Sequence, residues 1–231
     1  MSWTAVADPT SLNSGKRFVV ANTRFPKAYN LYRGLDLTAS CKGARDYLQA
    51  SCTWSRLFGN YEGLVQNSNH QTMPNTNSAF DYWPYVGTGL LPLDRTWVIK
   101  GLGSHRFTVL SRDLDLGCAL TLQSGTPLSR LDSTYTFGDY YGYTYTGGLQ
   151  GNLGRTPFLA NLDLHLDWVW VLPGRVRLVP QVDVFNSLNG RKPTDIDQTA
   201  DYGIYGPNPS YGQPLVWQTA RSWRFGAKLQ F

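Results

Sequence analysis

The chain has 231 residues, room for one all-β domain with a sizeable core. Only 16% of them are charged, against about 25% in an average soluble domain, and the net charge of +5 comes mostly from scattered arginines. The absence of any Lys/Arg run excludes a nucleic-acid footprint, and no segment approaches the roughly 18 apolar residues of a transmembrane helix.

Residues 1–29 read as loop or partial strand, with one short apolar run at 18–21. Met1-Ser2-Trp3-Thr4-Ala5 lacks a charged n-region and an apolar h-region, so no signal peptide is expected here. A first strand sets Leu35, Leu37, Ala39 and Cys41 against Asp36, Thr38, Ser40 and Lys42, and a second sets Leu48, Ala50, Cys52 and Trp54 against Tyr47, Gln49, Ser51, Thr53 and Ser55. A tight turn at Gly43 and Ala44 would pair Cys41 near Asp46 and Cys52 near Leu35, too far apart to bridge. Three cysteines cannot close a set of disulfides, and Cys41, Cys52 and Cys118 all fall on apolar faces, where they act as small hydrophobes.

Residues 57–92 are polar and aperiodic. A third strand over about 94–108 has mixed faces, and a turn near 111–113 leads to a fourth, with Leu114, Leu116, Cys118, Leu120 and Leu122 on one face. A long Tyr- and Gly-rich segment covers 125–157. The fifth strand sets Leu162, Leu164, Leu166, Trp168 and Trp170 against Asp163, His165 and Asp167; Pro173-Gly174 turns the chain into a sixth with Val176, Leu178, Val182 and Val184. Pro180 lacks a ladder donor, which points to a bulge there. After a third long loop, the last strand puts Trp223, Phe225, Ala227, Leu229 and Phe231 on one face.

These features describe an all-β fold, an antiparallel transmembrane β-barrel segment of about seven strands. Connections alternate short and long without exception, as periplasmic turns and extracellular loops do in bacterial outer-membrane barrels. An eighth strand at 18–21 would let a small barrel close. Two further classes stay open: an independent small outer-membrane barrel with a structural or adhesive role, and a secreted carbohydrate-binding β-sandwich. The 14 tyrosines and 8 tryptophans suit interfacial girdles and a sugar-binding surface alike.

Several segments carry a family resemblance. Tyr32-Arg33-Gly34-Leu35 and Ala50-Ser51-Cys52-Thr53-Trp54-Ser55-Arg56-Leu57-Phe58-Gly59-Asn60-Tyr61-Glu62-Gly63 resemble the late barrel of TonB-dependent outer-membrane receptors of the Oar-like type. So do Leu91-Pro92-Leu93-Asp94-Arg95, Gln123-Ser124-Gly125-Thr126-Pro127, Gly154-Arg155-Thr156-Pro157 and Asp183-Val184-Phe185-Asn186-Ser187-Leu188-Asn189, in family order across about 30–231. The resemblance implies a plugged barrel of about 22 strands, of which residues 30–231 would be the C-terminal portion. The N-terminal barrel and plug have no counterpart in the chain, and TonB would engage only through that region. The implied setting is the bacterial cell outer membrane, with lipid as a partner and an unspecified solute as cargo.

No catalysis is expected. His70, His105 and His165 lack metal-ligand spacing, and no nucleophile elbow, phosphate loop or dinucleotide fingerprint is present, so neither metal nor cofactor is expected. His165 between Asp163 and Asp167 reads as the polarity of a lumen face. The candidate ligand-binding residues are Tyr135, Phe137, Tyr140, Tyr141, Tyr143 and Tyr145, flat amphipathic rings on one outer loop that suit a sugar, peptide or siderophore-like ligand, or else pack as girdle. The candidate membrane anchors are Trp54, Trp168, Trp170, Trp217, Trp223 and Phe231.

Overall fold

A computed structural model of the chain describes residues 2–7, 16–21, 29–60, 88–135, 141–145 and 150–231. The fold is all-β and antiparallel, with no α-helix among the described residues. Its main body is a sheet in which β3 (Asn30–Lys42), β4 (Asp46–Gly59), β6 (Trp97–Val109), β7 (Arg112–Gln123), β10 (Leu159–Trp168), β12 (Arg177–Phe185) and β15 (Ser222–Gln230) pair in chain order. Two short pieces extend it: β5 (Gly89–Leu90) on β4, and β11 (Trp170–Val171) on β12. Three separate hairpins are formed by β1 (Ser2–Ala7) with β2 (Lys16–Ala21), β8 (Leu131–Tyr135) with β9 (Tyr141–Tyr145), and β13 (Pro193–Ile196) with β14 (Pro214–Trp217).

Register sorts the side chains. Directly opposed residues in an antiparallel pair share a face, and along the middle of the main sheet the ladders set apolar residues opposite one another. Leu37 faces Cys52, Cys52 faces Ile99 and Ile99 faces Leu122. Leu120 faces Leu162, Leu164 faces Val184 and Val182 faces Phe225. The other face carries Asp36 against Thr53, Lys100 against Thr121, Arg106 against Asp115, His165 against Asp183 and Asp183 against Arg224.

No strand residue on the apolar face is buried. Leu37 is 61% exposed and Phe225 73%, whereas a soluble sheet would hide such positions under a second layer. The buried hydrophobics among the described residues are Leu91, Leu131, Leu159, Val179 and Ala200. Leu159 and Val179 point to the polar side, opposite Gln123 and Lys228, and the other three lie in the long connections. The core therefore sits behind the polar face and at one rim.

The short turns, at 43–45, at Leu110-Ser111 and at 172–176, lie at one end of the sheet, and the three long connections lie at the other. Gly174 adopts φ 82° in the last of these turns, which glycine takes without a Cβ penalty. The main strands fall close to their expected places, with differences that have physical causes. Gly43 donates to the Asp46 carbonyl, a wider turn than a two-residue one, so Cys41 pairs with Leu48 and Cys52 with Leu37, two residues from the expected partners. All three cysteines are free.

There is no bulge at Pro180: it pairs with Ala227 in unbroken register. The missing N–H instead interrupts the other ladder, splitting one strand into β10 and β11, while Asp167↔Gln181 and Trp170↔Leu178 keep the same offset. The 18–21 run belongs to β2, which pairs with β1, so it adds no eighth strand to the sheet. Among the described residues β3 and β15 do not pair, and the sheet is open, not a closed barrel.

Leu110 and Ser111 form a two-residue hairpin turn with φ of 50° and 59°. Both central residues of such a turn need positive φ, which Asn-Gly supplies readily and a leucine does at a cost of roughly 1 kcal/mol. Leu110 is exposed and contributes no core packing to offset it. Replacing the pair by Leu110→Asn with Ser111→Gly is expected to raise the unfolding free energy by about 1 kcal/mol, read as a higher urea midpoint. An unchanged midpoint would mean that the turn stores no strain.

Candidate functional site

Three features can act chemically: a cluster on the polar face, a hydrogen-bonded rim among the long connections, and aromatic groups on the loops and the apolar face.

The polar cluster grows from cross-strand pairing. β10 presents Asp163, His165 and Asp167 on one face, and the ladders bring Asp183 of β12 opposite His165 and Arg224 of β15 opposite Asp183. His165 Nδ1 lies 2.6 Å from one Asp183 oxygen, and Arg224 Nε donates to the other at 2.7 Å. The buried Asp183 carboxylate is thus shared between an imidazole and a guanidinium, which compensates its desolvation. His165 Nε2 is 3.0 Å from Asp167 Oδ1 but off the hydrogen-bonding line, and that oxygen has no hydrogen bond. Asp163 Oδ1 accepts from Asn161 Nδ2 at 2.9 Å and from the Asn186 amide at 2.8 Å.

A shallow cleft of about 280 Å³ opens beside this cluster, lined by Tyr47, Ser104, Ala119, Asp163, His165 and Asp183 among others. The cluster can orient water or a polar solute. Among the described residues no group of three or more His, Cys, Asp or Glu is placed to hold a metal. The aspartates flanking His165 are visible in the chain; Asp183 and Arg224, 18 and 59 residues further on, join it only through register.

The rim is built from the segments that carry the family resemblance. Asp94 is fully buried; its carboxylate accepts from the Leu57 amide and pairs with Arg155. Arg155 also donates to the carbonyls of Gly125, at 2.8 Å, and Asp94. Arg95 donates to the Ser124 carbonyl at 2.7 Å, and Ser55 Oγ to the Arg95 carbonyl at 2.9 Å. Burial, then the nearby Arg155 charge, hold the Arg95 guanidinium below the ordinary arginine range. The Thr126 amide donates to Thr156 Oγ1, and a Cβ on Gly125 would lie 1.7 Å from the Thr156 carbonyl oxygen, so only glycine fits there. Asn186, at φ 47°, ties the last long connection by bonds to Gly190 and to the Thr219 carbonyl.

The tyrosine-rich hairpin is seated on the last long connection. Leu131, fully buried, donates to the Gln198 carbonyl and accepts from the Ala200 amide. In the hairpin Tyr135 pairs with Tyr141, Ser133 with Tyr143 and Leu131 with Tyr145, which brings four of the six candidate tyrosine-loop residues onto paired strands. Phe137 and Tyr140 lie outside the described residues. Tyr202, Tyr205 and Tyr211, exposed on the neighbouring connection, were not among the candidates; Arg130 lies over the Tyr211 ring at 5.9 Å. The Tyr202-Gly203 and Tyr211-Gly212 pairs repeat the Tyr-Gly texture of the first loop and were the available signal.

The aromatic anchor candidates occupy two levels of the apolar face. Trp54 and Trp97 lie 6.4 Å apart at the long-loop end, with Trp223 also at that end. Trp168 and Trp170 meet edge to face at 5.0 Å at the short-turn end, where Arg112 stacks 4.5 Å over Trp170 and Phe231 is fully exposed. Trp97 and Phe107 were missed because Gly101, Gly103 and His105 blur the periodicity of β6. Trp217 belongs to β14, in the last long connection and away from the main sheet.

No protein-family model matches the chain, and no solved structure matches it. A curated protein of Myxococcus xanthus, the TonB-dependent transporter Oar, is 29% identical over 205 residues, covering 84% of this chain. The chain spans 19% of that relative's length. The chain is thus related in sequence to a TonB-dependent transporter.

Removing one partner of the Asp94–Arg155 pair leaves a buried charge uncompensated. Arg155→Ala is expected to cost about 3–5 kcal/mol and to expose the long connections to added protease. Adding Asp94→Ala to it removes the orphan charge, so the double variant should lose less than the two single losses summed. Strict additivity would show that the pair does not couple the loops.

Proposed function

We propose that residues 30–231 form the C-terminal portion of the barrel wall of a TonB-dependent outer-membrane receptor. The strands divide lipid from a wet lumen, and the long connections contribute to solute capture on the cell surface. Energy-coupled import belongs to the whole receptor, through a plug and a TonB-engaging segment supplied by its N-terminal region. The observation that carries this reading is the apolar face, continuous across seven paired strands and without one buried residue.

Height agrees with the reading. Trp97 and Phe107 mark the two aromatic levels on β6 and are ten residues apart. At about 3.3 Å per residue and a tilt near 45°, they span roughly 23 Å of depth, close to the ~25 Å apolar band of outer-membrane barrels. The terminal Phe231 falls at the short-turn end, which is the periplasmic side of such barrels. The polar cluster then faces the lumen and the tyrosine-rich loops face outward. The related transporter supports the assignment to a receptor of this class.

Tryptophan fluorescence tests the lipid face. The protein, purified from its native membrane and reconstituted in vesicles of brominated phosphatidylcholine, is expected to lose much of its tryptophan emission. Bromines near the headgroup should quench more than bromines near the chain end, because the rings gather at two interfacial levels. Emission unaffected by either lipid, together with solubility in the absence of detergent, would overturn the membrane reading in favour of a secreted sandwich.

A further inference from the structure

Charged side chains on the apolar face occur only near its two ends. At the long-loop end the ladder sets Arg33 directly opposite Arg56, both exposed and on the same face as Leu31, Phe58, Leu35 and Trp54. Opposed like charges have Cβ atoms about 5 Å apart and destabilise a sheet. Among the described residues no carboxylate pairs with either guanidinium; the contact of Arg56 is with the Phe58 ring, at 5.4 Å.

The neighbouring strand stops short of this level. The Ser55 amide donates to the Thr96 carbonyl, one step beyond Trp54↔Trp97, and there the ladder ends: the Leu57 amide bonds the Asp94 side chain and Arg95 donates to the Ser124 carbonyl. Arg33 and Arg56 thus form a row of two guanidinium groups across β3 and β4. Directly below the row, toward the middle of the sheet, the face is wholly apolar: Leu35, Leu37, Trp54, Cys52 and Ile99.

We propose that this row is a docking site for the phosphate-bearing headgroup of an anionic lipid, whose acyl chains lie along the apolar strip beneath it. The inference rests on the reading of this face as lipid-facing. Guanidinium groups recognise phosphate through charge-assisted, often bidentate, hydrogen bonds. An anion between Arg33 and Arg56 converts their mutual repulsion into two attractions, and the strip below excludes a purely water-soluble occupant from the best fit. A cationic level immediately beyond the Trp54–Trp97 level is also where a headgroup would sit.

Trp54, two residues from Arg56 on the same face, is a native reporter. The protein from its native membrane is reconstituted in two kinds of vesicle with the same overall composition, phosphatidylcholine containing phosphatidic acid. In one the bromines are on the phosphatidic acid, in the other on the phosphatidylcholine. The Trp54-dependent part of the quenching, obtained by difference from Trp54→Phe, is expected to report a roughly thirtyfold preference for phosphatidic acid, the scale set by two arginines at an anionic surface. Arg33→Gln with Arg56→Gln should abolish the preference while retaining quenching by phosphatidylcholine, which shows that the protein still inserts. Arg33→Lys with Arg56→Lys should keep part of it.

Quenching by each lipid in proportion to its mole fraction in the unaltered protein would overturn the lipid site and leave the membrane-facing wall standing. A preference that survives the double glutamine variant would place the headgroup elsewhere and overturn it too. Loss of the preference on adding millimolar inorganic phosphate would show that the row takes the free anion and not a lipid. Absence of quenching by both lipids would remove the membrane reading on which the proposal stands.

Discussion

The antiparallel ladder is the constraint on which everything else depends. Each backbone amide and carbonyl in the sheet must find a partner, and the partners found here keep one offset along each pair of main strands. A slip of one residue would send every leucine of a strand to the opposite face. Because none of the ladders slips, local alternations of about ten residues become a single apolar surface seven strands wide. Pro180 shows how strictly the offset is kept: its missing donor opens a gap between β10 and β11, yet the residues on either side stay in phase.

With the apolar face uncovered, the rest of the molecule is organised on the opposite side and at the long-loop end. The buried groups there are mostly polar: Asp94, Ser129, Gln150, Thr156, Asp183, Asn186, Gln198 and Asn208. Polar burial is tolerable only with partners, and Asp94 has the Leu57 amide and Arg155, Asp183 has His165 and Arg224, and Asn186 has Gly190 and Thr219. The rim thereby fixes the long connections to the strand ends through directed bonds, with little apolar core. On the receptor reading this gives the outer loops a seated base while leaving their tips free to vary with the solute.

Much of this was legible in the chain. The leucine alternations of β7 and β10 and the terminal Trp223, Phe225 and Leu229 located strands and faces, because a two-residue period needs nothing beyond near neighbours to be read. The short and long connections could be ordered for the same reason. The third strand was blurred, since Gly101, Gly103 and His105 occupy apolar-face positions where the neighbouring Leu120, Cys118 and Leu116 fill the surface. The cysteine partners were displaced by two residues because the turn after Lys42 is wider than its Gly-Ala sequence suggested. The resemblance named the rim segments as separate motifs; nothing in their spacing shows that Asp94 and Arg155, 61 residues apart, meet.

By itself the sequence determined the class of fold, the strand alternation, the sorting of connections and the kinship to a TonB-dependent transporter, all of which reside in local pattern or in order along the chain. The tertiary structure decided which residues face each other. His165 acquires Asp183 and Arg224, Arg33 meets Arg56, and the motif segments close into one rim, because these juxtapositions depend on the register between strands. Register is fixed by the sum of all ladder bonds and turn widths, a quantity that no single stretch of sequence contains.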